Sequence, residues 1–203
     1  MGKAIFAALE ETVKSFDFET ISRTRKTELG RLAQFIKEKA NKEQEVSVNF
    51  IGESNSHRSI LAQAWASLYA FVFHLPIRVF SSGLETVSVD ADVLNSLKKQ
   101  GFRVYGKGGD EETHFVWFSH DADPIVLYSK LLNDPINPTH NYVAILTYPQ
   151  LESDDLKRAD IVFEMKPTEA LEGPRADELF DSWAKQIGTE VAYVFNQLGS
   201  TED

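Results

Sequence analysis

The chain has 203 residues, 42% of them apolar and 26% charged, which suits one globular domain with or without a helical appendage. Its net charge of −10 argues against a nucleic-acid binder, which needs a basic face, and against attraction to acidic membranes. There is no cysteine, so disulfides, thiolate metal sites and a thiol nucleophile are all excluded. No apolar run reaches the roughly 18 residues needed to span a bilayer. Met1-Gly2-Lys3 leads into an acid-rich amphipathic stretch unlike a secretory signal, so a cytoplasmic location is expected.

Residues 1–45 read as helices. Ile5, Phe6, Leu9 and Val13 share a face, and Asp17 is placed to start a turn. Leu29, Leu32, Ala33, Phe35 and Ile36 form a second apolar stripe that ends near Asn41. Lys26, Glu28, Arg31, Lys37 and Glu38 form the solvated side. These helices are expected to pack on the back of the domain or to build a dimer contact.

From Val46 the pattern changes. Val46, Val48, Phe50 and Ile51 read as a short buried strand, and seven small or polar residues follow, Gly52 to Arg58. Then Ile60, Leu61, Ala64, Trp65 and Leu68 recur at helical spacing, with Ser59 or a neighbour able to cap the start. A strand, a tight polar loop and a helix N-terminus make an anion pocket, because amides and the helix dipole converge there and Arg58 adds a fork of donors.

Pro76 to Phe80 reads as the next strand, stopped by Ser81-Ser82-Gly83. Ala91 to Gln100 reads as a helix, with Asp90 near its N-cap and Gly101 at its end. Arg103 to Tyr105 and His114 to Phe118 flank Gly106-Lys107-Gly108-Gly109-Asp110 and read as a hairpin. No helix or G-K-[ST] follows those glycines, so they are a turn and not a phosphate loop. His120, Asp121, Asp123, Asp134 and His140 include metal-ligand types, but their spacing matches no site and Pro124, Pro135 and Pro138 mark turns. Tyr142 to Thr147 and Asp160 to Phe163 read as two more strands. A last helix spans about Ala176 to Leu198, with Leu179, Phe180, Trp183, Ile187, Val191, Val194, Phe195 and Leu198 inward. Strands alternating with helices imply a parallel sheet with helices on both faces, and a site beyond the strand ends where the Gly52 loop falls.

Phe50-Ile51-Gly52-Glu53-Ser54-Asn55-Ser56-His57-Arg58-Ser59 resembles the phosphate loop of low-molecular-weight protein tyrosine phosphatases and thioredoxin-coupled arsenate reductases. That loop reads apolar-apolar-Cys-x-x-Asn-x-x-Arg-Ser; Asn55, Ser56, Arg58, Ser59 and Ala62-Gln63 fall in register, and Gly52 takes the nucleophile's place. Phe80 to Glu85, Asn133 to Pro138 and the last helix extend the likeness. The resemblance implies a three-layer α/β fold with a four-stranded parallel sheet, phosphotyrosine-phosphatase-like. It also implies an N-terminal helical extension (1–45) on an α/β domain (46–203), with a small hairpin insertion.

Members of that family attack phosphorus or arsenic with the loop cysteine and protonate the leaving group from a late Asp-Pro loop. Here Gly52 has no side chain, no cysteine serves a relay, and the late loop reads Phe163-Glu164-Met165-Lys166-Pro167, with Glu164 a weak substitute acid. No catalytic residue, metal or cofactor is therefore expected. The expected anion contacts are Glu53, Ser54, Asn55, Ser56, His57, Arg58 and Ser59. Glu53 opposes an anion if it points inward and leaves the pocket open if it points outward. Ser54 or Ser56 beside His57 suggests a Ser–His hydrolase, but adjacent residues in a tight loop rarely face each other in hydrogen-bonding geometry. The leading expectation is a catalytically inactive pseudoenzyme that binds a phosphate-, sulfate- or arsenate-like anion or a protein partner. The alternatives are an active enzyme with relocated chemistry, and an interaction module, such as a homodimer, with an empty loop.

Overall fold

The computed structural model describes residues 4–42, 45–106, 113–148, 154–165 and 176–199. Four strands, β1 (Val46–Ser54), β2 (Ile77–Glu85), β6 (Tyr142–Leu146) and β7 (Ile161–Glu164), form one sheet in the order β2-β1-β6-β7. Every neighbouring pair is parallel, with Val46 opposite Ile77, Ser47 opposite Tyr142 and Val143 opposite Ile161. Because side chains alternate along a strand, β1 offers Val46, Val48 and Phe50 to one face and Ile51 to the other.

The first face carries the main core. Val143 and Ile145 of β6 join β1 there, under α2 (Arg23–Lys42), α3 (Arg58–Val72), α4 (Ala91–Gln100) and α5 (Ala176–Gly199). α1 (Ala7–Lys14) and α2 add Leu9, Leu29, Leu32, Ala33 and Ile36 to the same core, each almost wholly buried. The N-terminal helices therefore fold against the sheet-bearing part of their own chain. Fully burying each such aliphatic side chain stabilises by about 1.5–3 kcal/mol. α5 lies close on α3 because Gly188 has no side chain; a Cβ there would stand 2.6 Å from Phe16 and 2.9 Å from Trp65.

The opposite face carries the third layer: Ile51, Tyr142, Ala144 and Leu146 pack with Leu132 and Leu156, the latter on a 3-10 turn over Asp154–Arg158. Among the described residues this layer is loop and 3-10 turn, where helices on both faces were expected. Pro135 and Pro138 account for part of the difference, since neither can donate within a helix.

The expected hairpin forms from β3 (Arg103–Gly106) and β4 (His114–Trp117), but Ile125–Leu127 joins it as β5, making a three-stranded antiparallel sheet. Three residues after a proline are too few for a periodic signal. The turn Lys107 to Asp110 lies outside the described residues. α4 is closed as expected: Asp90 accepts from the Asp92 N–H at 2.8 Å, and Gly101 ends the helix at φ 106°. A Cβ on Gly101 would also stand 2.7 Å from the Leu9 nitrogen, so this glycine admits α1.

Among the described residues no helix is long and apolar enough to cross a membrane. Nor do three His, Asp or Glu residues gather as a metal site. Asp134 instead closes a turn, accepting from Ile136 N–H at 3.0 Å, and His120 stands edge-on to Phe6.

Candidate functional site

The site lies at the carboxyl end of β1, where open parallel sheets place their ligands. β1 runs three residues beyond the expected stop at Ile51, and β2 runs on to Glu85; Gly52 lies opposite Gly83 and Ser54 opposite Glu85. Glycine and serine are turn formers in isolation, so a sequence pattern ends the strands early. Only Asn55, Ser56 and His57 remain between β1 and α3.

A buried polar cluster fixes this short loop from below. Asn55 Oδ1 accepts from Lys130 N–H at 3.2 Å, and Asn55 Nδ2 donates to Ser59 Oγ at 3.0 Å. Ser81 donates to Gln63 Oε1 at 2.5 Å, and the Lys130 ammonium donates to Ser81 Oγ and Tyr128 O, both at 3.4 Å. Lys130 is 3% exposed. Burial pushes its amine down to about 8, against the pull of Asp134.

The space above Gly52 is filled by oxygen. A Cβ built there would stand 3.0 Å from the Ser54 carbonyl oxygen, 3.3 Å from Ser59 Oγ and 3.5 Å from Thr147 Oγ1. The Ser54–Asn55 peptide crosses Gly83, where a Cβ would lie 2.5 Å from the Asn55 nitrogen. No peptide bond among the described residues is cis, so this peptide sends its N–H away from the side its carbonyl faces. Ser56 N–H is spent on that same carbonyl at 2.8 Å. Two of the loop's amides are thus withdrawn from the expected cradle.

What remains for an anion is the start of α3. His57 occupies the N-cap without a side-chain cap, so Ser59 is not the cap; its hydroxyl serves Asn55 instead. The first amides of α3 to find acceptors are those of Ile60 and Leu61, both on His57 O, which leaves the Arg58 and Ser59 N–H groups without an acceptor among the described residues. Arg58 lies 4.2 Å over the Trp183 ring, and its buried Nε has no hydrogen-bond acceptor among the described residues. Burial lowers its pKa, and Tyr148 opposes the shift. Glu53 is exposed and forms no ion pair with Arg58 among the described residues.

The expected anion contacts therefore separate into groups. Asn55 and Ser59 bond to each other below the loop, and Arg58 turns to Trp183. Ser54, Ser56 and His57 form a line: Ser54 Oγ is 2.9 Å from Ser56 Oγ, which is 2.7 Å from His57 Nδ1. This corrects the expectation that neighbours in so short a loop would not face each other. His57, at φ −128° and ψ −103°, swings its ring back over Ser56 and flat onto Phe180. Its Nε2 lies 3.2 Å from Asp90 Oδ2. Asp90 was legible as a helix cap, but nothing in the sequence ties it to a loop 33 residues earlier. Lys130, Thr147 and Tyr148 gave no signal either, and Trp183 read only as core.

On the late loop, Met165 is buried and its N–H bonds to Leu146 O at 2.8 Å, so it is a core residue. Glu164 is exposed at the end of β7. Lys166, Pro167 and the Leu179 side chain lie outside the described residues.

No family model matches this chain, and no curated protein matches it in sequence. Solved structures do. An arsenate reductase in a phosphate-binding state is similar at 19% identity and a TM-score of 0.49, over 75% of this chain and 98% of that one. A low-molecular-weight phosphotyrosine phosphatase from Vibrio cholerae O395 is similar at 13% identity and 0.47, over 74% and 95%. A low-molecular-weight protein tyrosine phosphatase from T. tengcongensis is similar at 15% and 0.42, over 75% and 99%. At these values their activities do not carry over to this chain. Its own strand order and three layers define it as an α/β fold around a four-stranded parallel sheet.

Proposed function

We propose that this chain is an α/β module that binds an oxyanion of the phosphate, sulfate or arsenate kind at the start of α3 and has no phosphoryl- or arsenyl-transfer chemistry at Gly52. The observation that carries the reading is the Ser54 carbonyl oxygen above Gly52, an acceptor where a nucleophile would have to stand. A thiolate route needs a sulfur at Gly52, and the chain contains no cysteine. An attacking group placed there would meet the lone pairs of a fixed carbonyl instead of inward-pointing amides. Binding rests on the Arg58 guanidinium, which pairs with no carboxylate among the described residues, and on the two N–H groups of α3 that find no acceptor there.

Phosphate titrated into ¹⁵N-labelled protein is expected to move the amide signals of Arg58 and Ser59. Arg58→Ala should weaken binding by about ten- to a hundredfold, a charge-assisted bond being worth roughly 1.5–3 kcal/mol. Turnover of an aryl phosphate should stay at background in the native chain and also in Gly52→Cys, since the Ser54 carbonyl persists. Robust turnover by either protein, or phosphate shifts unchanged in Arg58→Ala, would overturn the reading.

A further inference from the structure

The line from Ser54 to Asp90 is not used by anion binding, and its chemistry is directional. A carboxylate can only accept, so Asp90 Oδ2 fixes the proton of a neutral His57 on Nε2, 3.2 Å away. Nδ1 is then a lone pair, and the Ser56 hydroxyl 2.7 Å away must donate to it. That leaves the Ser56 oxygen to accept from Ser54 at 2.9 Å. The end of the line is Ser54 Oγ. Ser56 is fully buried, whereas Ser54 is partly exposed. Two contacts hold the base in place: His57 stacks on Phe180 at 5.5 Å and 7°, and Asp90 is anchored by the Asp92 N–H. The order hydroxyl, imidazole, carboxylate is that of serine hydrolases, with one extra hydroxyl between nucleophile and base.

We propose that Ser54 is a nucleophilic serine, served by His57 through Ser56 and oriented by Asp90, and that it hydrolyses small activated carboxylic esters. Ser54 Oγ forms a bond to the acyl carbon as its proton passes to Ser56 and that of Ser56 passes to His57 Nδ1. The donors assigned to the resulting oxyanion are the first-turn N–H groups of α3, which carry no side-chain cap. Collapse breaks the bond to the leaving oxygen, which takes the proton back through Ser56. Water then repeats the sequence on the acyl-serine and releases the carboxylic acid. Ester plus water gives acid plus alcohol, and no other reactant is required. The Arg58 guanidinium takes no part; the first-turn amides of α3 are shared with the proposed oxyanion site, so the two readings are told apart by Ser54 labelling on one side and by phosphate-induced amide shifts on the other.

The test treats the intact chain with an alkyl fluorophosphonate and with p-nitrophenyl acetate. One adduct per chain is expected by mass, mapped to Ser54 and absent from Ser54→Ala. Asp90→Asn keeps a helix-capping residue, and His57→Gln keeps a polar side chain. Each should slow labelling and ester turnover by about 100-fold, the usual contribution of a general base. Thermal melting reports that each variant is folded, and Asp90→Asn replaces His57→Gln if that variant is not. Failure of the folded native chain to label at Ser54, or equal rates in native and Asp90→Asn proteins, would overturn the proposal.

Discussion

Arg25 and Arg58 are both sunk beside an aromatic ring, and the difference lies in what faces their charge. Arg25, in α2, lies 5.6 Å over Phe163 and donates from Nη2 to Glu190 at 2.6 Å and from Nη1 to Glu28 at 3.0 Å. A further Nη1 contact at 3.2 Å reaches the Glu164 carbonyl. Burial alone would lower its pKa, but Glu190 and Glu28 outweigh burial and hold it above its ordinary value. Arg58 has the closer ring, at 4.2 Å, and no carboxylate partner among the described residues, and burial lowers its pKa. A paired buried arginine is a structural tie between α2, α5 and β7. An arginine supported only by an aromatic face keeps its donors for something that arrives later.

The largest expected effect probes the paired member. Glu190→Ala leaves the Arg25 charge buried with one carboxylate fewer and should cost about 3–5 kcal/mol in urea unfolding. The double variant Arg25→Met with Glu190→Leu removes both charges and should cost much less. If the double variant is as unstable as the single, the tie is a matter of packing and the contrast with Arg58 fails.

Lys130 is a third sunken cation and sharpens the comparison through pH. Its folded value of about 8 lies below the ordinary 10.5, so between the two the unfolded chain holds more protons than the folded one. Stability should therefore rise with pH above 8, by up to about 1.4 kcal/mol per unit, and be flat in this respect below 8. Tyr69, whose pKa burial raises, acts in the opposite sense only above pH 10, so thermal melts between pH 8 and 10 isolate the lysine. Lys130→Met should abolish the rise; a rise that survives in this variant assigns it elsewhere.

The smallest expected effect concerns Arg58 itself. With no ion pair among the described residues to lose, Arg58→Ala should cost only about 0.5–1 kcal/mol, the worth of its stacking on Trp183. A loss as large as that of Glu190→Ala would show Arg58 to be structural and remove the distinction drawn here.

Much of the fold was legible. The strand-to-helix passage at Val46 to Leu68 stands where alternating and then helical apolar spacing put it, and the stripes of α2 and α5 are the residues found buried. The strand extension through Ser54 was not legible, because Gly52 and Gly83 are turn formers alone and close-packed neighbours in a sheet. The Ser56–His57 contact was misjudged, because chain proximity says nothing about a ring that rotates to stack on Phe180, more than a hundred residues away.

By itself, the sequence determined the strand–loop–helix, the apolar faces that make layers inevitable, and the lack of any thiol at Gly52. Those are local periodicities and residue identities, fixed before any distant contact forms. Tertiary structure alone decided which way the Ser54–Asn55 peptide points, that Arg58 meets the Trp183 ring, and that Asp90 fixes the proton of His57. Each depends on a neighbour far along the chain: Gly83 admits the peptide because it has no Cβ, and α5 and α4 bring Trp183, Phe180 and Asp90 to a loop that encodes none of them.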